Sequence, residues 1–204
     1  MAPRYDRLTE PAASEAIRRA FNRMNRGMVF LWRLGLGWMA GIWPAGFGRL
    51  MVIEHVGRRS GRPYLTPVNY TPSDGHIYCL AAFGERADWY RNLLAQTQTA
   101  VWLPDGRWTA TAADVTDDPS RLVLTRRVLI DSGFAAPLFG LHPRRMSDAE
   151  LLAATGDYRL VRIMPDRPAP RWDGPGDLAW VWPILGAALI LVRRARRGGL
   201  VSSR

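Results

Sequence analysis

Apolar and polar positions define three zones along the chain. Near the start, Ile17, Ala20, Phe21 and Met24 recur at helical spacing, and Arg18, Arg19, Arg23 and Arg26 take the other faces. Ser14–Arg26 therefore reads as an amphipathic helix, after a polar lead-in over residues 1–13. An uncharged run follows at Leu34–Gly48. The middle of the chain changes period. Leu50–Val56, Tyr64–Thr71 and His76–Phe83 are strand-like, and Pro67 places the second at an edge or a bulge. Gly57–Pro63 and Pro72–Gly75 are turn-rich. Ala87–Gln96 reads as a short helix, with Asp88 as a candidate cap. Thr99–Leu103 and Arg107–Val115 flank Pro104-Asp105-Gly106, a hairpin signal. Asp118-Pro119 opens a helix to about Asp131. Ser147-Asp148-Ala149-Glu150 has the form of a capping box, and Tyr158–Met164 reads as a closing strand. A Pro/Gly-rich linker, Pro165–Gly176, leads to a second uncharged run, Leu178–Val192.

Five to six short, mostly antiparallel strands with inserted helices predict an α+β domain built on a small closed or partly closed β-barrel. Four segments follow: an N-terminal segment of amphipathic helix and membrane-associated apolar run (1–48), the barrel domain (49–165), a linker (166–177) and a transmembrane or membrane-anchoring tail with a basic end (178–204). Each uncharged run is shorter than the roughly 20 residues of a perpendicular span. Trp180, Trp182 and the flanking arginines suit a membrane interface.

Charge sharpens this division. The formal charge is +10 and every basic residue is Arg. Residues 51–165 hold 13 Arg against 12 acids, whereas the flanks hold 15 against 6. A nearly neutral centre argues against nucleic acid as a partner and leaves the positive charge beside the apolar runs. The single cysteine, Cys79, excludes a disulfide framework. Three scattered histidines give no sign of a metal site, and none is expected. No GxGxxG after a strand, P-loop or GxSxG elbow is present.

Two stretches carry candidate chemistry. Gly57-Arg58-Arg59-Ser60-Gly61-Arg62-Pro63 sets three guanidinium groups and a hydroxyl in a turn, which is either an anion cradle or a solvated hairpin loop. In Asp88-Trp89-Tyr90-Arg91-Asn92-Leu93, Trp89 either packs on the barrel or walls a flat ligand's pocket. His55 alternates with apolar neighbours and reads as structural, and Cys79 reads as core. Without an evident acid–base set, an enzyme here would rely on a cofactor.

In this order, the two stretches resemble the deazaflavin-dependent nitroreductase/quinone reductase family. The resemblance rests on Gly57–Pro63, Thr66-Pro67-Val68, Asp74-Gly75, Gly84 and Trp89-Tyr90-Arg91-Asn92-Leu93. It covers roughly residues 49–164. It implies a split β-barrel and the deazaflavin coenzyme F420, with FMN the lesser alternative. It assigns Arg58, Arg59, Ser60 and Gly61 to the anionic tail, the strand Thr66, Pro67, Val68 and Asn69 to the ring, and Trp89 and Asn92 to the border of the ring pocket. No catalytic residue is assigned. Tyr64 and Ala82 stand where the family often has a basic and a small hydroxyl residue. Phe134, Leu138, Phe139 and Leu141 replace a Tyr-rich acceptor segment and would suit a lipid-like acceptor.

The resemblance implies an oxidoreductase passing a hydride to a quinone or another lipophilic acceptor, in contact with membrane lipid, as at a bacterial inner membrane. A homodimer or partner subunits are further expectations. The alternative is a non-enzymatic subunit of a membrane complex that keeps the barrel.

Overall fold

The computed structural model of the protein describes residues 23–42, 48–170 and 174–199. The expected polar lead-in, residues 14–22 of the amphipathic helix, residues 43–47 of the first uncharged run, and residues 171–173 and 200–204 lie outside the described part.

Six strands form a closed barrel: β1 (Leu50–Val56), β2 (Pro63–Ser73), β3 (His76–Ala81), β4 (Gln98–Leu103), β5 (Gly106–Asp114) and β6 (Arg159–Pro168). Their order around the barrel is β1-β2-β3-β6-β5-β4. Every pairing is antiparallel, and β1 against β4 closes the ring. Period-two alternation explains the closure. Met51 and Ile53 of β1, Val68 and Tyr70 of β2, and Val161 and Ile163 of β6 belong to one buried cluster. Cys79 lies in that core, and burial pushes its thiol well above the usual range.

The edge expected at Pro67 exists inside the closed barrel. Residues 63–69 of β2 pair with β1, and only residues 70–73 pair with β3. The second ladder edge of the first half of β2 is therefore open, so a residue without an N–H is tolerated there.

Helices cover the barrel. Asp88–Ala95 (α3) contributes Tyr90 and Leu93 to the main core. Arg121–Asp131 (α4) packs Leu124 and Val128 on Tyr78 and Leu160, the other faces of β3 and β6. Ala135–Leu138 (α5) and Asp148–Ala154 (α6) complete that layer, and Ser147 forms the full capping box.

Several boundaries differ from expectation. Asp118 precedes the helix and accepts from the Ser120 N–H, so α4 starts at Arg121. The third strand ends at Ala81, and Gly84–Arg86 form a 3₁₀ turn. β6 runs on to Pro168, so the linker begins later than Pro165. Leu141, assigned to an acceptor surface by sequence, is buried with Leu129 and Leu151 under α4 and α6.

The terminal segments meet each other. Residues 23–31 are helical (α1) and run into a π-helical turn, Trp32–Leu36. A short helix (α2) spans Met39–Ile42. Trp32 is buried against Val52 and Trp102, on the outer face of β1 and β4. At the other terminus, Val181–Gly199 form α7, with Pro183 in its first turn, where a missing N–H costs nothing. Gly35 sits at φ +81, and a Cβ there would stand 3.3 Å from that of Ala179. The Leu178 N–H donates to the Arg33 carbonyl at 2.9 Å, and the Trp182 indole donates to the Leu34 carbonyl at 2.8 Å. Among the described residues, no helix is long and apolar enough to cross a membrane. The uncharged part of α7, Val181–Val192, is roughly 18 Å long at the usual helical rise.

Candidate coenzyme site

The site forms where β1 turns into β2 beside α3. The turn is closed by its own backbone: the Gly57 N–H donates to the Arg62 carbonyl at 2.8 Å, and the Ser60 and Gly61 N–H groups donate to the Gly57 carbonyl. Position 57 has no room for a side chain. A Cβ there would lie 2.5 Å from Ser60 Oγ and 2.7 Å from the Tyr64 ring. With these three amides occupied, the guanidinium groups and the Ser60 hydroxyl are the side-chain donors of the turn. Arg59 and Arg62 are exposed, whereas Arg58 is half-buried.

Arg58 reaches across to α3. Its N–H and a guanidinium nitrogen donate to Asn92 Oδ1 at 3.1 and 2.9 Å. The same nitrogen donates to Asp88 Oδ1 at 3.1 Å. Asp88 therefore does not cap the helix. Ala87 occupies the N-cap position, with no side-chain cap bond, and Asp88 is held from outside by Arg58 and Arg91. Burial pushes the Asp88 carboxyl up, but the hydrogen bonds and charges of those two arginines outweigh it and hold it low.

The network continues inward. Asn92 is buried and joined to His55 Nδ1 at 3.0 Å, and His55 Nε2 meets Thr66 Oγ1 at 2.9 Å. Tyr64 stacks on the imidazole, with ring centroids 5.7 Å apart and planes at 16°. Its hydroxyl lies 3.4 Å from Ser60 Oγ. Burial lowers the His55 pKa to about 4, against the attraction of Asp88, so the ring is neutral at pH 7. Tyr90 ties α3 to the barrel by donating to the Asp114 carboxylate.

Of the residues singled out by sequence, Arg58, Ser60, Thr66 and Asn92 come together around His55 and Tyr64, and Arg59 and Gly61 share their turn. Trp89 is half-buried against the main core and edge-on to Tyr90. Val68 faces the core. Asn69 lies at the far end of this strand segment, donating to the Arg49 carbonyl at 3.0 Å. Pro67 lies on the open ladder edge.

The sequence marks His55 as structural but not its partners, and Tyr64 only as a departure from the family pattern. A signal existed: His55 shares the inward register of Met51 and Ile53, and a polar group there needs a buried partner.

The donor set suits a flat, anionic ligand. Three guanidinium groups stand in a turn that Arg58 fastens to α3, whose first turn has no side-chain cap. The unpaired β2 edge offers extended backbone to a planar ring.

A cleft of about 530 Å³ opens beside this turn, lined by residues that include Glu54, His55, Pro63, Thr99, Arg107 and Thr109. Arg107 donates to Glu54 through two nitrogens, at 2.5 and 2.7 Å.

No curated protein matches the chain. Among solved structures it is similar to an Agrobacterium tumefaciens protein of unknown function, at 21% identity and a TM-score of 0.42. That likeness covers 60% of this chain, which spans about half (51%) of the other. It is also similar to HutZ, a heme storage protein of Vibrio cholerae, at 16% identity, covering 58% and 82% of the two chains, with a TM-score of 0.39. A third is an F420-H2 dependent reductase, FDR-A, at 18% identity, covering 57% and 93%, with a TM-score of 0.40. Residues 37–135 match the sequence profile described as F420H(2)-dependent quinone reductase. This segment, which contains the Arg58 turn, the open half of β2 and α3, is what the chain shares with that family of F420H(2)-dependent quinone reductases.

Proposed function

We propose that the protein is a membrane-associated reductase that binds reduced F420 at the β1–β2 turn and delivers its hydride to a quinone-like, lipophilic acceptor. The observation carrying this reading is the Arg58–Asn92 connection. It fixes a cationic turn against α3, which His55 in turn joins to Thr66 of the open strand half, within the segment that matches the family.

When bound, the coenzyme supplies the hydride and the protein supplies the geometry. Arg59 and Arg62, with the Ser60 hydroxyl between them, hold the anionic tail, and Gly61 lets the turn adopt its positive φ. Arg58 adds charge and keeps the turn in register with α3. The backbone of Thr66–Asn69 lines the ring, and Trp89 borders its pocket. His55 acts through Asn92 and Thr66, as a positioning residue rather than a proton carrier, because burial keeps it neutral. The acceptor reaches the ring from the lipid side, which removes water from the transfer. The apolar surfaces of α1 and α7 support association with a bacterial inner membrane.

The test is fluorescence titration of purified protein with reduced F420, followed by its oxidation with menadione as acceptor. Saturable binding and menadione-dependent oxidation are expected. Failure to bind at millimolar coenzyme would overturn the reading. Binding without oxidation would overturn only the quinone-like acceptor.

A further inference from the structure

The terminal segments are joined where the sequence alone treats them as separate appendages. Arg33 grips Asp177 with two nitrogens, Nε at 3.1 and 3.0 Å from the two carboxylate oxygens and a terminal nitrogen at 2.7 Å. Beside the clasp, the Gly176 N–H donates to the Trp32 carbonyl at 3.0 Å. Trp32 itself is buried on the barrel. The start of α7 is thereby fixed to the end of α1, and both are fixed to β1 and β4.

Beyond the clasp, both elements present apolar side chains outward. Phe30, Leu31 and Trp38 are exposed on the N-terminal side, as are Leu189, Ile190 and Leu191 on α7. Three consecutive exposed aliphatic residues mean that α7 has no face packed on the barrel there. The ends of this apolar stretch carry interface-seeking groups. Trp180 and Trp182 stand at one end, and Arg193 begins an arginine cluster at the other. An apolar stretch of roughly 18 Å between two such ends is too short for a hydrocarbon core of about 30 Å. It matches a helix held at the headgroup boundary rather than one that spans. The charge agrees: the flanks hold 15 Arg against 6 acids.

We propose that α1 and α7, locked together by Arg33 and Asp177, form one platform that seats the barrel on an anionic lipid surface without crossing it. This rests on the membrane-associated reading above and names the surface that meets the lipid. The clasp makes two weak anchors bind as one, so its value lies in effective concentration. It also keeps the barrel on the side of the membrane where the arginines lie.

The test is co-sedimentation of the full chain with sucrose-loaded vesicles, of phosphatidylcholine alone or with phosphatidylglycerol added. Wild type should bind the anionic vesicles and weaken as salt rises. Asp177→Arg should bind about 10- to 100-fold more weakly. The charge-swapped pair, Arg33→Asp with Asp177→Arg, should recover most of the loss, which keeps the test informative if the single variant is misfolded. Leu189→Glu with Leu191→Glu should abolish binding while thermal unfolding of the barrel is unchanged. A folded Asp177→Arg variant that binds like wild type would overturn the platform and leave membrane association standing. Equal binding to neutral and anionic vesicles would overturn the charge recognition. Wild type that stays in the supernatant with both vesicles would overturn both readings, without touching coenzyme binding in solution.

Discussion

The Asn92 amide on α3 and the His55 imidazole on β1 meet at 3.0 Å, and the surrounding bonds decide which way each points. Asn92 Oδ1 is taken by two Arg58 donors, so its NH₂ group faces His55. His55 Nδ1 therefore accepts, its proton sits on Nε2, and that proton goes to Thr66 Oγ1. One buried ring thus holds the helix side of the site, the cationic turn and the open strand in a single register.

This register makes stability depend on pH. Burial lowers His55 to about 4 from its usual 6.5. Below about pH 6.5 the unfolded chain takes up a proton that the folded ring refuses until about pH 4. Stability from this group is complete above 6.5, falls between 6.5 and 4, and levels off below. The total is up to about 3 kcal/mol. Urea unfolding of wild type between pH 7.5 and 4.5, compared with His55→Gln, checks it. The variant should lose most of the slope between 6.5 and 4.5, whereas the slope from carboxylates is common to both.

The arginines of the turn should separate. Arg59 is exposed. Arg59→Ala should leave the unfolding midpoint unchanged and weaken F420 binding by about tenfold, the loss of one charge-assisted contact. Arg58→Ala should weaken binding and also destabilise by about 1–2 kcal/mol, because the Asn92 amide loses its donors. Paired fluorescence titrations and denaturation curves distinguish the two.

Trp32 seals the outer face of β1 and β4, where it meets Val52 and Trp102. Trp32→Ala should cost about 3–5 kcal/mol, as for other large buried aromatics. Chemical denaturation followed by circular dichroism reads this. A loss under 1 kcal/mol would mean that the N-terminal segment is not docked in solution.

Ser147 accepts from the Glu150 N–H at 3.3 Å, and Glu150 returns a carboxylate to the Ser147 N–H at 2.8 Å. Ser147→Ala should cost about 1 kcal/mol without changing coenzyme affinity, since α6 packs on the far side, under α4. The same two assays decide it.

Much of this was legible in the chain. Alternation placed β1, β4 and β5 nearly to the residue, and Ser147 and Glu150 announced α6, because these signals are local. The Arg58 turn and the Trp89–Leu93 motif likewise marked the family segment. Ends set by distant partners were less readable. β6 continues to Pro168 because it pairs with Trp108 of β5, which no local pattern around Pro165 reveals.

The amino-acid sequence by itself determined the strand count within one, the core faces, the cationic turn and the uneven charge, since each follows from residue type and spacing. Only the tertiary structure decided that His55 is the hub of the site, that Tyr64 packs on it, that Asp88 pairs with Arg58 instead of capping α3, and that Arg33 meets Asp177. Each of these is a contact between residues far apart in the chain. A buried polar group must find a partner, but spacing along a sequence does not say which one the fold will bring to it.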